Sequence, residues 1–158
     1  MCAISRAVTT PTHGRRVLAP CLAAWLLVAP ASTDAAPSCR NLGVARPVAF
    51  GTYSPFSGAT LSATGLVTYD CPPPTAPAIS LSGGNSGAPS ARYMVSALGD
   101  HLAYNLYTDA ACRTVWGTVP LPVPGGNGQS VTIYGCVPAW QVVAAGTYAD
   151  TIWVTINF

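Results

Sequence analysis

From about residue 40 onward, apolar and polar positions alternate in short runs, separated by clusters of Gly, Pro, Asn and Ser. A period of two places successive side chains on opposite faces of an extended chain. The runs predict strands over 44–50, 66–71, 78–82, 92–95, 102–107, 130–137 and 148–158. Turns are predicted at Ser57-Gly58, Pro72-Pro73-Pro74, Gly83-Gly84-Asn85, Gly99-Asp100 and Gly125-Gly126-Asn127-Gly128. No apolar stripe of helical period continues for three turns, and 139–145 is the only stretch where a helical turn is expected. Seven short strands at this spacing predict one all-β domain over 37–158, a sandwich or a barrel. No internal repeat is present.

The last run carries the strongest pattern. Ile152, Val154, Ile156 and Phe158 fall on one face, and Thr151, Trp153, Thr155 and Asn157 on the other. With the strand reaching residue 158, nothing after it covers its outer edge. An apolar strand left at a sheet edge invites pairing. The reading therefore places this strand inside a sheet or against a partner chain.

Residues 1–36 have a different character. Arg15 and Arg16 precede an apolar run over 17–29, and Ala35-Ala36 supplies small residues for cleavage. That order is an export signal. The run is shorter than the ~20 residues of a spanning helix, and Pro20 and Pro30 interrupt it. The chain holds no Lys and no Glu. Beyond residue 36, Arg40, Arg46, Arg92 and Arg113 balance Asp70, Asp100, Asp109 and Asp150. A surface without surplus positive charge has no electrostatic basis for holding nucleic acid. Gly and Pro, 15 of each in 158 residues, exclude a mostly helical protein. An outer-membrane barrel is disfavoured as well, since about eight strands of 9–11 residues leave little room in this length.

Four cysteines follow the signal: Cys39, Cys71, Cys112 and Cys136. In an exported chain an even number reads as disulfides, with three pairings open. The sequential pairing is favoured, each bridge contributing roughly 3–4 kcal/mol. Neighbouring cysteines lie 24 to 41 residues apart, unlike the close pairs of zinc sites, so no metal is expected. His101 sits in a predicted turn beside Asp100, no G-x-S-x-G occurs, and each Asp is isolated. No catalytic residue and no cofactor are therefore assigned. Trp116, Trp140 and Trp153 suit a sandwich core first. Trp140 and Trp153 are the candidates for surface adhesion, in a loop and opposite the apolar face of the last strand.

Taken in order, several short patterns resemble the spore coat protein U domain family. They are Cys39, then Phe50-Gly51-x-Tyr53-x-Pro55 and the stretch from Gly65 to Cys71. Leu102-x-Tyr104-x-Leu106-Tyr107-x-Asp109 and Trp116-Gly117 follow. Thr132-Ile133-Tyr134-Gly135-x-Val137-Pro138 and Gly146-x-Tyr148-x-Asp150-Thr151 through Phe158 complete the series. The family is similar to subunits of archaic chaperone–usher pili. The resemblance implies an immunoglobulin-like antiparallel β-sandwich missing its last strand. A periplasmic chaperone lends a strand, and a neighbouring pilus subunit replaces it as an outer-membrane usher assembles the fibre at the cell surface. Ile152, Val154, Ile156 and Phe158 are the expected contacts to the partner strand. Residues 32–38 show no apolar alternation, so the expectation is a subunit that accepts a strand without donating one, at the tip or end of a fibre. The alternative is a self-contained secreted β-sandwich acting as a binding or coat module outside any pilus.

Overall fold

The computed structural model describes residues 38–158; the expected export signal lies outside them. The described chain is built from ten strands and one short 3-10 turn. In chain order they are β1 (Arg40–Arg46), β2 (Leu61–Cys71), β3 (Ala78–Leu81), the turn Gly84–Ser86, β4 (Tyr93–Ser96) and β5 (His101–Ala103). Then come β6 (Asn105–Tyr107), β7 (Leu121–Pro122), β8 (Gly126–Val137), β9 (Tyr148–Ala149) and β10 (Val154–Asn157). The all-β class and the immunoglobulin-like sandwich agree with this arrangement.

One layer is a four-stranded antiparallel sheet in the order β1-β2-β8-β6. Its centre is the long β2–β8 ladder, running from Leu61 opposite Val137 to Tyr69 opposite Gln129. Alternation explains that ladder. Val67, Tyr69 and Cys71 on β2, with Ile133 and Val137 on β8, point inward and are buried. The second layer contains the sets β10-β3-β7 and β5-β4-β9. The last stretch of chain joins them. Tyr148 and Ala149 pair with β4, and Val154 to Asn157 pair with β3. Between them, Ser82 N–H donates to the Trp153 carbonyl at 3.0 Å, and Trp153 N–H donates to Ser82 Oγ at 2.9 Å. The two layers enclose a core that includes Val67, Ile79, Leu106, Trp116 and Ile152.

The structure departs from the sequence reading where the chain changes sheets. The first strand lies at Arg40–Arg46, and 47–50 has left the ladder, because Pro47 has no N–H to continue it. The run over 102–107 divides at Tyr104 into β5 in one layer and β6 in the other. The run over 148–158 divides in the same way around 150–153. No helical turn forms over 139–145; Trp140 adopts a left-handed backbone, φ 64°. The Gly125–Gly128 cluster is not a separate turn, since Gly126 already pairs with Cys71. Strand β7 was not foreseen. Disulfides join Cys39 to Cys71 and Cys112 to Cys136.

A buried cation ties the second layer together. Arg92 is 1% exposed and has no carboxylate directly against it among the described residues. Its Nε and Nη2 donate to the Ser82 carbonyl at 2.9 and 2.6 Å. Further donations reach the carbonyls of Pro89 and Trp116, and Asn105 Oδ1 at 2.7 Å. Burial pulls its pKa below the ordinary guanidinium value, with Tyr104 and Asp150 acting in the opposite sense.

Candidate functional site

Two sheet edges face an open space between the layers. β1 ends one sheet and β10 ends the other, so each carries a strand edge outside any ladder among the described residues. Between them lies a cavity of about 780 Å³. Its floor is Val67, Ile133 and Val137 of the four-stranded sheet. Leu106 of β6 adds to that floor, and Met94 and Leu102 form the opposite side, with Tyr104 at the crossing between layers and Ile152 and Val154 from the final stretch. Alternation along the strands turns these largely apolar side chains toward the cavity.

One wall is unusual. Residues 47–53 run over the inner face of the four-stranded sheet and belong to no strand, with Gly51 in the left-handed region at φ 72°. Val48, Phe50 and Tyr53 are half-buried, while Pro47, Ala49, Gly51 and Thr52 are exposed. Gly65 and Gly135 provide the space beneath. A Cβ at Gly135 would stand 2.6 Å from Val48 and 2.7 Å from the Phe50 ring, and one at Gly65 would stand 2.8 Å from Val48. Phe50 meets Tyr104 edge to face, with centroids 5.7 Å apart. The Tyr53 hydroxyl accepts the Gln141 N–H at 2.7 Å.

Gln141 also closes a strand edge. Its Oε1 accepts the Ala103 N–H at 2.8 Å, and its Nε2 donates to the Ala103 carbonyl at 2.9 Å and to Pro138 at 3.1 Å.

Of the four residues expected on the partner-facing side, Ile152 and Val154 are buried and line the cavity. Ile156 is half-buried against the core, and Phe158, beyond the last paired residue, is 61% exposed. The other face of the strand is more open, with Trp153 42% exposed. Trp140 is 68% exposed, its ring lying over Gly58. Phe56 and Val142, in the same two loops, are also exposed. Trp116 is buried in the core, with its indole N–H donating to the Ile79 carbonyl at 3.0 Å.

The polar residues weighed for chemistry have structural surroundings. His101 stacks on Tyr93 at 4.0 Å. Asp109 accepts from the backbone N–H groups of Ala111, Arg113 and Thr114, which hold its carboxyl below the ordinary range. Asp70 is lowered by bonds from the Gly128 N–H and the Asn41 amide. Asp150 accepts the Asn85 N–H at 2.7 Å and the Tyr104 hydroxyl at 2.7 Å, joining the 3-10 turn to the final stretch. No His, Cys, Asp and Glu group suited to a metal occurs among the described residues. No helix among them is long and apolar enough to cross a membrane.

Reasoning from sequence missed the wall at 47–53 and its two glycines. The available signal was Gly65 and Gly135 within otherwise apolar strand faces.

The fold, with its apolar cavity lined from both layers, defines a class, the immunoglobulin-like β-sandwiches. Within it, the Spore Coat Protein U domain family matches residues 26–155, and the chain belongs to that family. It is 34% identical over 125 residues to Protein U of Myxococcus xanthus, covering 69% of this chain and 70% of that protein. Among solved structures, it resembles a chain of the CsuC-CsuE chaperone-tip adhesion subunit pre-assembly complex from archaic chaperone-usher Csu pili of Acinetobacter baumannii. The TM-score is 0.53 and the identity 23%, over 77% of this chain and 40% of that one. At that identity the likeness is one of fold.

Proposed function

We propose that this protein is a structural subunit of an archaic chaperone–usher pilus at the cell surface, and that its groove takes a β-strand from another protein. The single observation behind this is the apolar cavity bounded by two strand edges. A strand laid there bonds its backbone to those edges and places alternate side chains into the cavity, which is β-strand addition. In this reading a periplasmic chaperone supplies the strand first, and a neighbouring subunit replaces it at the outer-membrane usher. Ile152, Val154 and Ile156 contact the strand from the final stretch, with Phe158 at the margin. The absence of apolar alternation over 32–38 supports a tip or terminal place in the fibre. The role is structural rather than catalytic. Producing the chain with and without a periplasmic chaperone of the archaic chaperone–usher type tests the proposal. Chaperone-dependent soluble yield is expected, and an equal yield of stable monomer in both refutes it.

A second reading concerns what the subunit does once assembled. Trp140, with Phe56 and Val142 exposed in the same loops, supports adhesion to an apolar or glycan surface; Trp153 is the weaker contributor. Trp140→Ala is expected to reduce surface retention several-fold with little change in folding. Unchanged retention removes this reading.

A further inference from the structure

We propose that residues 47–53 are a resident plug that occupies part of the groove in the free subunit and is lifted when a strand enters. The inference rests on the groove being a strand acceptor. It goes further by assigning this chain's own segment as a competitor for the same space.

The segment imitates an inserted strand in its alternation. Val48 and Phe50 are half-buried while Pro47, Ala49 and Gly51 are exposed, and the left-handed Gly51, φ 72°, ends the likeness. The inward pair seats over Gly65 and Gly135, where a side chain on the sheet would collide with them. Phe50 closes against Tyr104, and Tyr53 is fastened through Gln141. What it lacks is pairing, since residues 48–53 join neither ladder. Its hold is therefore packing and one terminal hydrogen bond. A true strand adds a run of backbone bonds to the same packing. Such a strand wins the contest for the glycine-floored seats, and the plug is displaced. Until then, Val48 and Phe50 cover apolar floor that water would otherwise contact.

The test is a thermodynamic cycle on the full chain. One form is unaltered; the other carries a ten-residue alternating Thr-Val strand after Phe158, joined by a flexible Gly/Ser linker. Phe50→Ala is placed in both forms, and thermal unfolding is measured. In the unaltered form the substitution is expected to lower Tm by about 5–10 °C, because it empties the seat. In the strand-bearing form the same substitution is expected to change Tm by less than about 2 °C, because the seat no longer holds Phe50. Equal losses in both forms overturn the plug, since Phe50 is then an ordinary core residue that the added strand packs beside. An added strand that fails to raise the Tm of the unsubstituted chain refutes the acceptor groove itself, and the plug with it.

Discussion

Replacing Arg92 with Met tests whether the second layer is held by a buried cation. Met has similar length and no donor. The change leaves the carbonyls of Ser82, Pro89 and Trp116 without the partner that Arg92 supplies, and removes one partner of Asn105 Oδ1. Trp116 is buried and Ser82 and Pro89 are half-buried, and each acceptor left without a donor costs about 1–3 kcal/mol, the half-buried ones toward the lower end. Three of them give about 3–6 kcal/mol at the modest end of that range. Against this stands the relief of no longer burying a charge, about 1–2 kcal/mol after the surrounding dipoles are counted. The net loss is about 1–5 kcal/mol. Urea unfolding followed by tryptophan fluorescence measures it directly, because Trp116 is buried and its carbonyl accepts from Arg92. Arg92→Lys should lose most of the same stability, since an ammonium keeps the charge but not the planar fork. An Arg92→Met variant within about 0.5 kcal/mol of the parent, or more stable than it, would refute the reasoning, because it would mean that these carbonyls need no donor.

Val154→Asp puts a carboxylate into the apolar groove and should abolish chaperone-dependent soluble yield, read by co-expression and fractionation. Opening the Cys39–Cys71 bridge with Cys39→Ser and Cys71→Ser together should cost roughly 3–4 kcal/mol, measured by denaturant unfolding under oxidising conditions. Asp109 has a folded pKa below its unfolded value because three backbone N–H groups bond its carboxylate. Its contribution is thus present above the ordinary carboxylate range and lost as pH falls through the depressed folded value. Asp109→Asn should flatten the acid side of the stability–pH curve without changing its slope near pH 7.

The parts of this fold that are legible in the sequence are those where one strand stays in one sheet. Along β2 and β8, alternation from Val67 to Cys71 and from Val131 to Val137 reads directly as an inner and an outer face. The same logic found Ile152 and Val154. It failed at Tyr104 and around Asp150, where the chain passes between layers while the apolar alternation continues. The two-residue strand at Leu121–Pro122 is too short to show any period, and its pairing with Ala78 and Ile79 is a tertiary fact. The groove was harder still. Its walls come from 47–53 and 143–154, about a hundred residues apart, and no local pattern says that the space between them is unfilled.

Gln141 gives the molecule a sense of direction. By offering its amide to Ala103 as though it were a length of main chain, it satisfies both backbone groups at that point of β5. A passing polypeptide finds nothing to grip at that residue, whereas the outer edge of β10 carries no such cover among the described residues. Under the strand-acceptor reading proposed above, this side-chain mimicry of main chain steers an incomer away from one margin of the second layer.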